Sequence, residues 1–201
     1  MKHHRPKGFT LIDLIVSSTI IVVMFTFVLA NFRTAQFSGE IDVTIKQLVN
    51  MLKVARNYSL GGQLLANQTF PDGGYGVYFN LNSADKIQFY AALDEVDNSF
   101  AAGEVFDSKT LNLRDIALTE LCGLTMTEVT TLPCQTGWEN VGGYLEVIFD
   151  EAGGAKANFN SNSDFKHVGG VIKSSRTGQQ AFFYVSLLGG AVTGNLYDRR
   201  D

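Results

Sequence analysis

The chain has 201 residues and a formal net charge of −4, and Lys2, Arg5 and Lys7 supply three of its 16 basic side chains, so the part after residue 8 sets 13 basic groups against 20 acidic ones, a net −7. A surface of that sign is a poor general match for nucleic acid or anionic lipid. Twenty glycines against three prolines argue against a disordered tail and for a β-rich domain with many tight turns.

Residues 1–7 are short and basic, which holds the N-terminus on the cytoplasmic side of a membrane. The 24 residues from Phe9 to Phe32 then carry one charge, Asp13. That run exceeds the ~20 apolar residues needed to cross a bilayer core. A charge at bilayer depth costs about 2.5–3.5 kcal/mol or more, so Asp13 requires a compensating role. A secretory signal has a shorter apolar region with its cleavage site after it. Here the processing site, Gly8–Phe9, precedes the run, although Val28-Leu29-Ala30 imitates a signal-peptidase site and leaves that alternative open.

Beyond the apolar run, Ile41, Ile45, Leu48, Leu52 and Ala55 recur at steps of four and three. This stripe predicts a half-buried helix with Glu40, Asp42, Lys46, Gln47, Lys53 and Arg56 on its other faces. No proline lies between Phe9 and Phe70, so one helix is expected to run to about Leu60 and stop at Gly61-Gly62. Gly39 is its weak point, a site for a bend or for a break into two helices near Ser38-Gly39.

Residues 61–74 read as a loop, and the apolar period then becomes strand-like. Strands are expected at Gly76–Leu81 and Lys86–Leu93, at Thr110–Leu118, and in hairpins pairing Gly143–Asp150 with Ala155–Asn160 and Gln180–Leu188 with Ala191–Tyr197. Val168–Lys173 adds another. The six Gly-Gly pairs punctuate turns; none forms a phosphate-binding loop. The fold class is therefore α+β: a long N-terminal helix, membrane-type in its first half and amphipathic in its second, packed on a C-terminal antiparallel β domain.

Cys122 and Cys134 lie 12 positions apart in what reads as an irregular excursion. Outside the cytoplasm two such cysteines pair, which stabilises a fold by about 3 kcal/mol in the chain-entropy model; the alternative is two buried thiols. Past the leader, the one histidine, His167, reads as a solvated loop residue. A Ser-His-Asp triad would rest on it alone, and no zinc-type spacing occurs, so no enzyme is indicated. Asp94, Glu95, Asp97 and Asn98 make an oxygen-rich loop. Asp94 and Asp97 are weak calcium candidates, because the order of a recognised calcium loop is missing.

From Lys7-Gly8 through Phe9-Thr10-Leu11-Ile12-Asp13 into the apolar run, the N-terminus resembles the class III signal of type IV pilins and type II secretion pseudopilins. The resemblance implies removal of residues 1–8 by a prepilin peptidase, N-methylation of Phe9, and assembly through Thr10 and Asp13 into a helical filament on an inner-membrane platform. It implies the pilin fold, with residues 9–32 as the membrane and filament-core half of the helix, 33–60 as the amphipathic half and 61–201 as the head. The family usually has Glu where Asp13 stands, so the charge is kept and the reach shortened by one methylene. Major pilins usually have a helix-bending proline where this chain has Ala30, which leans toward a minor pilin or pseudopilin.

Gly74-Tyr75-Gly76-Val77-Tyr78-Phe79, Val147-Ile148-Phe149-Asp150 followed by Gly153-Gly154, and Val185-Ser186-Leu187-Leu188-Gly189-Gly190 are similar to strand motifs of the GspH/FimT group. Calcium stabilises some pseudopilins, and some FimT-like pilins take up DNA. Lys166, His167, Lys173, Arg176, Arg199 and Arg200 are the basic groups such a role would use here, with Asp198 and Asp201 opposing the last two. A single-pass anchored domain that binds an unrelated ligand is the remaining alternative.

Overall fold

The computed structural model describes residues 10–65, 68–82, 87–93, 115–159 and 164–197, with residues 30–38 described by their backbone alone. The backbone is helical over α1, Leu11–Leu60, and the chain divides into two compact units between Gly39 and Glu40. In the first unit, Leu11–Leu29 is a 19-residue helical stretch, long and apolar enough to cross a membrane, with none of it buried.

The second unit is an α+β domain. The last turns of α1 bury Ile41, Ile45, Leu48, Leu52 and Ala55, the expected stripe, at 1% exposure or less. Gly61 and Gly62 end the helix as their positions require. Gly62 takes a positive φ of 58°, its N–H donates to Ser59 O at 3.3 Å, and the Gln63 N–H donates to Tyr58 O at 3.0 Å. This pattern satisfies carbonyls that the last helical turn would otherwise leave open.

Among the described residues nine strands form two antiparallel sheets. The first contains β1 (Gly74–Asn80), β2 (Ile87–Ala92), β5 (Tyr144–Phe149) and β6 (Ala155–Phe159) in the order β2-β1-β5-β6. The second contains β3 (Ile116–Leu124), β4 (Glu139–Asn140), β7 (His167–Ser174), β8 (Gln180–Ser186) and β9 (Val192–Leu196) in the order β4-β3-β7-β8-β9. Residues from every strand but the exposed β4 face one shared core with the α1 stripe, largely at alternate positions. Phe79 of the first sheet stacks on Phe183 of the second with ring centroids 4.8 Å apart. Tyr58 of α1 meets Tyr75 and Phe89 edge-on at 5.6 and 5.8 Å.

Two close approaches fix the helix on the sheets. A Cβ at Gly194 in β9 would lie 2.4 Å from Val49 Cγ2, so the edge strand reaches α1 only because that side chain is absent. At the other contact the buried Ser59 hydroxyl donates to Phe149 O at 2.6 Å and accepts from the Tyr75 N–H at 3.1 Å, tying the helix end to β1 and β5.

The strand expected over Thr110–Leu118 is shifted: β3 begins at Ile116 and runs to Leu124, and residues 110–114 lie outside the described ones. A bulge between Leu118 and Glu120 explains the misreading. It inserts Thr119, so Leu118 and Leu121 share the core face three residues apart, and the period of two appears to end at Leu118. Cys122 consequently sits in a strand rather than at the start of an excursion. The two-residue β4 has no sequence signal of its own.

His167 is corrected as well. It is the first residue of β7 and 5% exposed, and its Nε2 lies 3.0 Å from Thr127 O. Since a carbonyl only accepts, Nε2 carries the hydrogen, and Nδ1 is buried with no partner among the described residues.

Candidate functional site: the N-terminal helix and its acid

Thr10 and Asp13 close the start of α1 on each other. The Leu14 N–H donates to Thr10 O at 3.4 Å, which makes Thr10 the capping residue and Asp13 the third residue inside the helix. The Asp13 N–H donates to Thr10 Oγ1 at 3.3 Å, while the Thr10 N–H and hydroxyl donate to Asp13 Oδ2 at 3.1 and 2.7 Å. This reciprocal box satisfies donors that a helix start leaves open. It also places a negative charge at the positive end of the helix dipole. The T-x-x-D spacing at 10–13 was readable in the sequence as a capping signal.

The remaining hydroxyls of Leu11–Leu29 turn inward. Ser17 donates to Asp13 O at 2.7 Å, Ser18 to Ile15 O at 2.9 Å, Thr19 to Val16 O at 2.8 Å and Thr26 to Val22 O at 2.8 Å. Between them lie apolar side chains from Leu11 to Leu29 that are half or more exposed. The segment thus offers an apolar surface whose hydrogen bonds are already made, and Asp13 is its single charged group. Gly8 and Phe9, the two sides of the expected cleavage site, lie outside the described residues.

The other sequence candidates are scattered. Cys122 and Cys134 form a disulfide with Cα atoms 5.4 Å apart. It holds residues 125–138 against the second sheet together with His167 on Thr127 O, the Tyr197 hydroxyl donating to Pro133 O, and Trp138 packed edge-on against Tyr184 at 6.4 Å. Burial, then the nearby Glu120 charge, pushes the Tyr197 phenol up to about 12.

Asp94 and Asp97 lie outside the described residues, and among the described ones no three His, Cys, Asp or Glu side chains converge as a metal site. The basic groups of the C-terminal third do not form an open patch. Lys166 pairs with Asp164 at 2.7 Å, the exposed Arg176 pairs with Asp115 at 2.6 Å, and His167 is buried, while Lys173 stands exposed and Arg199 and Arg200 lie outside the described residues. No family model, no curated protein and no solved structure matches the chain.

Proposed function

We propose that the chain is a structural subunit, a minor pilin or pseudopilin, of a type IV pilus or type II secretion pseudopilus. The observation that carries the reading is an apolar helix, Leu11–Leu29, with none of it buried and one acid near its start, directly after the Gly8-Phe9 signal. A prepilin peptidase would cut between Gly8 and Phe9 and leave an ammonium at Phe9. Asp13 lies about one turn further in. In a filament with axially offset subunits its carboxylate meets the ammonium of a neighbour, because an unpaired charge among apolar side chains is strongly unfavourable and pairing relieves most of that cost. The side chains from Leu14 to Leu29 supply the cohesion.

Before assembly the subunit sits in the inner membrane, with its head in the periplasm or cell exterior, where the Cys122–Cys134 disulfide is at home. It acts by assembly with sister subunits on the inner-membrane platform, not by turnover, and the pilin fold is its expected architecture.

The mature N-terminus is the decisive measurement. Intact mass and N-terminal sequencing of the purified chain are expected to give methylated Phe9, and Gly8→Leu is expected to leave the leader attached. A mature chain beginning after Ala30 would identify a secretory signal and end the filament reading, since the helix that assembles would have been removed.

A further inference from the structure

Lys53, Arg56 and Asn57 stand on one side of α1 at i, i+3 and i+4, opposite Ala191 and Val192 just after the β8–β9 turn. Between them is a surface pocket of about 370 Å³. The guanidinium is held from its inner side, with Arg56 Nη2 donating to Gly189 O at 3.1 Å and Nε buried against the turn without an acceptor. Gly190 makes this closure feasible. It has a positive φ of 62°, and a Cβ there would lie 3.0 Å from Arg56 Nε and 2.5 Å from Gly153 O.

A carbonyl fixes the guanidinium in place but leaves its charge unbalanced. Among the described residues no carboxylate lines the pocket. Lys46, Lys166 and Arg176 each have a carboxylate within 2.7 Å, whereas Lys53 and Arg56 have none among the described residues. In a chain with net −7 after its leader, two adjacent cations without a counter-charge, one of them already ordered, are a local reversal of the overall field.

The geometry points to this pocket as an oxyanion-binding site, taking a phosphate or carboxylate group between Lys53 Nζ, the outer guanidinium N–H groups and the Asn57 side-chain amide. Binding would cost little ordering at Arg56, because the fold has already immobilised it. Charge-assisted bonds from two cations exceed what neutral donors supply. The assignment is independent of the filament reading, since it rests on the head alone.

The test uses the full chain in detergent micelles, with thermal unfolding followed in sodium phosphate, sodium acetate and sodium chloride at matched ionic strength and pH 7. Phosphate or acetate is expected to raise Tm above chloride in a saturable way. Lys53→Gln, at an exposed position, is expected to weaken the apparent affinity at least tenfold. Arg56→Lys is expected to weaken it too, because a lysine cannot hold the turn and the ligand together. Lys166→Gln is expected to leave the affinity unchanged. A larger rise with phosphate identifies a phosphoryl ligand, and an equal or larger one with acetate a carboxylate; either upholds the site. Absence of a saturable rise overturns the proposal, as does the same rise in Lys53→Gln as in the wild type, since phosphate stabilises proteins generally by exclusion from their surface.

Discussion

Asp13 has a local partner, and that changes how its substitution must be read. Asp13→Ala removes both the charge a neighbour would use and the cap that starts the helix. Thr10→Val dismantles the box from the other side while keeping the carboxylate. If the carboxylate acts between subunits, Asp13→Ala abolishes incorporation into sheared filaments while Thr10→Val and Asp13→Glu retain it. Equal loss in Asp13→Ala and Thr10→Val would reduce Asp13 to a cap, whose removal costs about 1 kcal/mol.

Tyr197 gives a second residue-level expectation. Its phenol ionises near 12 in the fold and near 10 in the unfolded chain. Between those values the unfolded state loses a proton that the folded state keeps, so stability falls as pH rises from about 10 towards 12. Denaturation measured across that range is expected to show a shallower fall for Tyr197→Phe than for the wild type, although the variant starts lower because its bond to Pro133 O is gone. Parallel slopes would show that Tyr197 does not govern the alkaline limb.

At the scale of elements, one hydroxyl makes the hydrogen-bonded join between the end of α1 and the first sheet. Ser59→Ala would leave the Phe149 carbonyl and the Tyr75 N–H buried and without that bridge, a cost of about 1–3 kcal/mol. Urea unfolding monitored by circular dichroism measures it directly, and a change below about 0.5 kcal/mol would mean water replaces the hydroxyl.

The same scale shows what a sequence discloses. The α1 stripe, its Gly61-Gly62 stop and the hairpins at 151–154 and 189–190 were legible because each is a local pattern: a period, a left-handed glycine, a tight turn. The position of β3 was not, because a bulge depends on the partner strand and breaks the period that identifies a strand. His167 was misplaced for a related reason. A lone histidine between Lys166 and Val168 carries no sign of a carbonyl 40 positions earlier that will bond it. The Lys53–Arg56 pocket was equally silent, since the turn that completes it lies more than 130 residues away. Asp13 stood out as anomalous from the start, but its bond to Thr10 was the part of the spacing that went unread.

For the molecule as a whole, the head depends on residues 125–138 staying closed over the second sheet. Cys122→Ser with Cys134→Ser is expected to cost about 3 kcal/mol, as is reduction of the wild type. The loss should appear as a lower urea midpoint, with proteolysis beginning within 125–138. Indifference to reductant would mean that Tyr197, His167 and Trp138 hold the strap without the covalent link.

The inward-turned hydroxyls of Ser17, Ser18, Thr19 and Thr26 set a condition on traffic between media. A segment that must leave lipid for a protein environment meets a barrier whenever polar groups have to change partners on the way. Here each of those hydroxyls travels with its own acceptor, one turn behind it on the same backbone. If the proposed filament forms, transfer of this segment out of the bilayer exchanges one set of van der Waals neighbours for another without breaking those hydrogen bonds. The Asp13 charge is then the one polar group whose surroundings must change in that step, so its pairing sets the direction.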